Sequence, residues 1–198
     1  MINLDLNLKA NRVLHAALTC FKQYGFKRTS MDDIAKSADM SRPALYLLFK
    51  NKTDIFRSLA TQFHEITLSS AQNALRSDED IQTRITNAIT IRKLPLYALA
   101  HGSPHGPELF DVTMSTAADI NARANETFQS YMTEALEISL DNGDIFANDI
   151  SPKELVQIIY AGAFGLQTAA ENEDHYAQLL SKMVNTLFNG LRSHKHNK

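Results

Sequence analysis

Two groups of residues in this chain have types and spacing that could do chemistry. In the first, Lys27, Arg28, Thr29 and Ser30 stand together just ahead of an apolar-periodic run, and Ser41 and Arg42 open the run that follows. Basic and hydroxyl groups at a helix N-terminus, where unpaired amides point outward, favour a phosphate. For Lys27 and Arg28 a solvated basic loop is an equal alternative; Thr29, which directly precedes the cap, is the better phosphate ligand. In the second group, His101, His105, Glu108 and Asp111 have metal-ligand types. Gly102, Pro104, Gly106 and Pro107 prevent the regular helix that would bring both histidines to one face, so no metal site is expected and a pocket rim or loop capping is the reading. The histidines of the terminal SHKHNK read as a frayed tail. No Gly-rich phosphate loop, nucleophile elbow or zinc-hydrolase motif is present, which disfavours an enzyme and calls for no cofactor.

The elements that must position the first group lie within residues 30–52. Ser30 caps a helix, with Asp33 reaching back in capping-box fashion, and Ile34, Ala35 and Ala38 give that helix an apolar face. Asp39 and Met40 make a turn. Ser41 caps a second helix over about 42–49, where Pro43 is admissible because a first-turn amide has no intrahelical partner to lose. Two short capped helices around a tight turn are the pattern of a helix-turn-helix, whose second helix enters a DNA groove.

Charge agrees with this. Residues 1–60 carry ten basic and five acidic side chains and the other 138 carry ten and seventeen, which returns the net charge of −2. A basic head suits a polyanion, and an acidic body does not. The composition, 44% hydrophobic and 21% charged over 198 residues, is that of a chain with a sizeable core. Its longest apolar run, 158–166, is far below the ~18 residues of a membrane span, so a soluble cytoplasmic protein with no membrane partner is expected. The single Cys20 excludes an internal disulfide and reads as a buried small apolar residue.

The rest of the chain reads as helices. An amphipathic helix over 8–24 ends at Gly25 as a left-handed cap, and Phe26 folds back on it. Asn51 and Asp54 start a long helix to about residue 76, a mechanical link from head to body. Ser77 and Asp80 open another, expected to end near Leu94 because Pro95 disfavours helical geometry before it. Residues 101–107 must be a loop or broken joint, and a single helical pattern then runs over 108–140 to Asn142-Gly143. Ser151, Pro152 and Glu154 start a helix to about residue 170, and 174–191 makes the last. No strand signal appears. The fold class is all-α, with about nine helices: a three-helix head followed by a helical body.

In the last two helices Ala161, Gly165 and Ala169 leave a smooth strip beside Ile158, with Leu180, Val184 and Leu187 on the partner helix. Packing inside the body is one reading. The favoured reading is a dimer interface of four helices, since one short recognition helix binds weakly and such proteins use two half-sites. By composition, Phe63, Ile66, Tyr97, His101, Phe110, Met114, Phe128, Tyr131, Tyr160 and Phe164 line a cavity among the middle helices, or else form plain core.

The stretch VLHAALTCFKQYGFKRTSMDDIAKSADMSRPALYLLFKNKTDIF, residues 13–56, resembles the N-terminal domain of TetR/AcrR-type transcriptional regulators. It has that family's Gly-aromatic, Thr-Ser, Ile-Ala, Leu-Tyr-x-x-Phe and following Lys in order. The resemblance implies a DNA-binding domain over 1–52 and a ligand-binding and dimerisation domain over 53–198. It also implies a homodimeric repressor on a palindromic double-stranded operator, released by a small, largely apolar effector. By position it implies a DNA-contacting set of Thr29, Ser30, Ser41, Arg42, Pro43, Ala44, Tyr46, Leu47, Lys50 and Lys52. Within it, Thr29 and Lys52 hold phosphates, Arg42 reads guanine, and Tyr46 touches backbone or a thymine methyl. Leu45 and Phe49 fall at packing positions. Asp39 replaces the usual turn glycine, and Leu47 and Leu48 replace polar or aromatic residues, so Leu47 can offer DNA only apolar contacts. The alternative is a helix-turn-helix protein controlled by a protein partner, or an architectural one, without an effector.

Overall fold

The computed structural model describes residues 8–145 and 150–192; the 193–198 tail lies outside them. Among the described residues there are nine helices and no strand. They are α1 (Lys9–Tyr24), α2 (Met31–Ser37), α3 (Arg42–Leu48), α4 (Lys52–Leu75), α5 (Ile81–His101), α6 (Gly106–Thr116), α7 (Ala118–Asp141), α8 (Pro152–Ala169) and α9 (Glu173–Arg192). None is long and apolar enough to cross a membrane. The chain forms two compact units, one of Met1–Ile66 with Leu96–Arg123 and one of Thr67–Pro95 with Ala124–Lys198.

In the first unit, the apolar faces read from the sequence close on one core. Val13, Ala17 and Phe21 of α1, Ile34 of α2, Leu45 of α3 and Ile55 of α4 are all fully buried in it. Phe26 does fold back: its ring lies 5.2 Å from Phe21 and 5.3 Å from Phe56. Burying each of the larger of these side chains, Val, Leu, Ile and Phe, contributes roughly 1.5–3 kcal/mol. Cys20 is buried here too. Gly25 has φ 82 but ψ 158, so it is not the left-handed cap expected, although its amide still bonds Phe21 O at 2.9 Å. A Cβ at this point would collide with the Glu108 carboxylate. Asp39 takes the turn position at φ 51, a region that aspartate tolerates better than most residues.

Two boundaries differ from expectation. The helix expected to stop near Leu94 continues through Pro95 to His101. A proline removes one hydrogen bond and crowds one carbonyl, at roughly 3 kcal/mol, and packing can outweigh that; beyond it Tyr97 and Ala100 are buried. The joint expected over 101–107 is therefore confined to 102–105. The single pattern over 108–140 is two helices, broken where Ala117 takes φ −121, ψ 25. There the Asn121 side-chain amide donates to Thr113 O at 2.8 Å, and His64 Nε2 meets Asn121 Oδ1 at 2.7 Å. A buried side chain inserted at a helix end is a tertiary device that leaves no periodic trace.

In the second unit, α8 and α9 pack together. The capping box at Ser151 and Glu154 forms as expected. Buried Tyr176 donates its hydroxyl to Ala163 O at 2.8 Å. The two mid-helix glycines of α8 serve different faces. Gly162 lies against Met183, where a Cβ would come within 2.5 Å of the sulfur, whereas a Cβ at Gly165 would meet nothing within 4 Å.

Candidate nucleic-acid interface

The head presents α3 outward on a rigid base. Ser30 and Asp33 complete the capping box of α2, the Ser30 amide donating to Asp33 Oδ2 at 2.9 Å. These bonds hold the Asp33 carboxyl below its usual range. Ser41 accepts the Ala44 amide at 3.3 Å and starts α3, with Pro43 in the first turn. Leu45 and Phe49 are buried beneath, as packing residues. On the outer face Ser41, Arg42, Pro43, Tyr46, Leu47 and Lys50 are exposed and Ala44 is half-buried. Leu47 is 88% exposed, the most open large apolar side chain among the described residues.

Arg42 is held in place by its neighbours. Its Nη1 lies 3.2 Å from the Asp32 carboxylate, Nη2 donates to Tyr46 Oη at 3.5 Å, and the guanidinium carbon lies 5.5 Å from the Tyr46 ring centroid. The Tyr46 hydroxyl first, and Asp32 second, stabilise the charged form. Asp32 was not among the residues singled out from the sequence. It reaches Arg42 across the turn, between two helices whose relative angle the local pattern does not encode.

The two residues expected to hold phosphates behave differently from the rest. Thr29 is only 2% exposed, and its hydroxyl donates inward to Gly25 O at 2.7 Å. Lys52 Nζ donates to the carbonyls of Phe26, Lys27 and Thr29 at 2.7, 3.0 and 3.0 Å and stands 4.7 Å from the Phe26 ring centroid. All three ammonium protons thus serve the 26–29 loop. Both side chains shape the loop from within, while Ser30, Lys27 and Arg28 are exposed on it.

A second clamp on that loop comes from α6. Glu108 Oε1 accepts the Lys27 amide at 2.8 Å, and His105 Nδ1 lies 3.7 Å from Glu108 Oε2. Glu108 was read only as part of the histidine group; in the structure it is a partner of the loop far earlier in the chain. His101 stacks on Tyr97 with centroids 4.1 Å apart. Among the described residues no group of three or more His, Cys, Asp or Glu is placed to hold a metal. Arg57 of α4 spans to the α6–α7 junction, donating to Thr116 O at 2.8 Å and to both Asp119 oxygens at 2.7 and 2.8 Å.

The residues proposed for a pocket fall into both units. Phe63, Ile66, Tyr97, His101, Phe110 and Met114 belong to the first, and Phe128, Tyr131, Tyr160 and Phe164 to the second. Tyr97 and Phe128 are buried, Met114 is exposed, and Phe164 is 60% exposed. An open cleft of about 560 Å³ in the second unit is lined by Glu126, Glu134, Lys153 and neighbours, none of them from that set. Of the proposed dimer residues, Ile158, Ala161, Gly165 and Ala169 are exposed on α8 and Leu187 is half-buried. Leu180 and Val184 are fully buried within the protomer, because α9 turns that stripe onto its own unit.

Residues 13–59 match the family model described as bacterial regulatory proteins, tetR family. An uncharacterized HTH-type transcriptional regulator of Bacillus subtilis, YhgD, is 30% identical over 77 residues, covering 39% of this chain and 40% of that protein. The HTH-type transcriptional regulator AcrR of Shigella flexneri is 43% identical over 47 residues, covering 24% and 22%. The chain thus spans less than half the length of these curated relatives. In three dimensions, the repressor of the Stenotrophomonas maltophilia multidrug efflux pump SmeDEF, SmeT, superposes with a TM-score of 0.68 over 93% of this chain and 92% of its own, at 18% identity. That likeness shows the fold: an N-terminal helix-turn-helix and an all-helical body.

Proposed function

We propose that the chain carries the N-terminal DNA-binding domain of a TetR/AcrR-type transcriptional regulator, as the match of residues 13–59 supports, and acts as a homodimeric repressor released from a palindromic operator by a small molecule. Residues 1–52 bind DNA, and 53–198 receive the effector and dimerise, in the cytoplasm. The single observation that carries this reading is the outer face of α3. There a pre-oriented Arg42, Tyr46 and an almost wholly exposed Leu47 stand on a buried base, a surface with donors and methyl-seeking groups at groove spacing. Arg42 to Leu47 read bases. Ser30, Ser41 and Lys50 meet the backbone, and Thr29 and Lys52 keep the adjoining loop in shape for it.

The exposed small-residue strip of α8, from Ile158 through Ala161 and Gly165 to Ala169, supports a second copy docking against this helix, with Leu187 alongside. For release, the support is the pair of clamps within the first unit. Arg57 ties the start of α4 to the α6–α7 junction, and Glu108 ties α6 to the loop before α2. An effector that shifts α4 or α6 thereby alters the head and the match of two heads to adjacent half-sites. The relatives are named as regulators, and catalysis forms no part of the proposal. The test is selection of bound DNA from random sequence with the full chain, followed by screening of small molecules for release. Recovery of a two-fold symmetric site is expected, and failure to enrich any sequence would refute the proposal.

A further inference from the structure

Asp32 and Arg42 each stand in the first turn of a helix, α2 and α3, on either side of the turn that joins them. Arg42 Nη1 donates to Asp32 Oδ2 at 3.2 Å and lies 3.2 Å from Oδ1, while Nη2 donates to Tyr46 Oη at 3.5 Å. A guanidinium has five N–H donors in a fixed fork, and these bonds use two of them, so the rest stay open for a base edge. Asp33 and Asp54 serve their own helix starts, accepting the Ser30 amide at 2.9 Å and the Lys50 amide at 3.0 Å. Asp32 instead reaches across to a side chain of another helix. The pair is half in solvent, with side-chain exposures of 59% for Arg42 and 47% for Asp32, and ion pairs that open to water contribute little to folding. Its consequence is directional. A lone arginine beside a polyanion goes to the nearest phosphate, and each phosphate it neutralises adds affinity without regard to sequence. A paired arginine brings no net charge to the backbone and keeps its remaining N–H groups along one line.

We propose that Asp32 is a positioning residue of the nucleic-acid interface that acts through Arg42: it aims the guanidinium at a base edge and withholds it from phosphates, so that discrimination between sequences depends on an acid. Its carboxylate works against raw affinity, since it places a negative charge on the face offered to a polyanion. What it contributes is the difference between the right sequence and the wrong one. The Tyr46 hydroxyl and ring, 5.5 Å from the guanidinium carbon, hold the other side of the fork, so the two helices fix the arginine from two directions. The inference deepens the proposed function and rests on α3 being the helix that reads DNA.

The test is titration of the full chain and its variants, at several salt concentrations, against the site recovered by selection, that site with single base pairs changed, and an unrelated duplex. Asp32→Ala should bind the unrelated duplex about three- to tenfold more tightly than the parent at low salt, with a salt dependence steeper by about one unit of slope per protomer. At one base pair of each half-site its preference should fall about tenfold, as expected for a misdirected arginine–guanine contact. Asp32→Glu should restore most of that preference, and Asp32→Ala added to Arg42→Ala should change it no further. A structural role would lower binding to every duplex by the same factor, and that result would overturn the inference. So would an unchanged preference in Asp32→Ala, or a further loss in the double variant. Where Asp32→Ala fails to fold by circular dichroism, Asp32→Asn, which keeps the side-chain shape and removes the charge, decides by the same readings. A parent chain that binds the selected site no better than the unrelated duplex would refute the regulator reading and this inference with it. A discriminating parent whose Asp32 variants discriminate equally well refutes the role of Asp32 alone.

Discussion

The Arg57 guanidinium grips both carboxylate oxygens of Asp119, at 2.7 and 2.8 Å, while also capping the last carbonyl of α6, Thr116 O, at 2.8 Å. One side chain on α4 therefore registers the break between α6 and α7. The hydrogen bonds from Arg57 hold the Asp119 carboxyl well below the ordinary carboxylate range. A carboxyl lowered in the folded state contributes stability above its unfolded pKa of about 3.9 and loses it as pH falls through the folded value. Asp119→Asn should lower the urea midpoint at neutral pH, with the gap to the parent closing only in strong acid. In the same variant the effector should release operator less completely; undiminished release would remove this pair from the coupling.

Arg42 and Lys52 should separate in their effects on DNA binding. Arg42→Ala relaxes discrimination at one base position of each half-site, at about 1–3 kcal/mol. Lys52→Met strips three carbonyls of their donor, so it should lower stability by about 1–3 kcal/mol and weaken binding to all sequences together. Urea unfolding and operator titrations against matched and mismatched sites measure both. Equal loss of discrimination in the two variants would contradict the division.

Gly165 tests the second copy. Because a Cβ here would meet nothing within 4 Å, Gly165→Glu should fold normally and sediment as a monomer. Gly165→Ala should remain dimeric and gain up to about 1 kcal/mol of helix stability. A Gly165→Glu variant that sediments as a dimer would move the interface elsewhere.

Lys93 sets a pH dependence of known sign. A lysine whose pKa falls from its ordinary 10.5 to about 7 on folding binds fewer protons folded than unfolded between those values, so stability rises with pH across that window. Arg92 on the same helix opposes the Lys93 charge, and Tyr160, the ring it faces, has its own pKa raised by burial. Lys93→Met should be the more stable protein at pH 7 and should flatten the rise. Urea midpoints measured from pH 7 to 10 check it.

How far the residues by themselves carried this reading depends on the range of the interaction. The caps at Ser30, Ser41 and Ser151 and the core faces around Leu45 and Phe49 formed as read, since capping and helical periodicity are satisfied within three or four residues of chain. The continuation of α5 through Pro95 and the break at Ala117 did not follow from local signals, because buried neighbours decided both. Thr29 and Lys52 have the types that bind phosphate, yet Thr29 is buried and the half-buried Lys52 spends its ammonium on three loop carbonyls. Asp32 with Arg42, Glu108 with Lys27 and Arg57 with Asp119 join residues from separate helices, and only the folded arrangement brings them together. So the sequence by itself determined most helix starts, the packing residues of the head and the resemblance of residues 13–56 to a DNA-binding domain. Tertiary structure alone decided which charges are held, which are buried, and which stripe of the last helices stays open, because those outcomes depend on distances between segments and not on the order of residues within them.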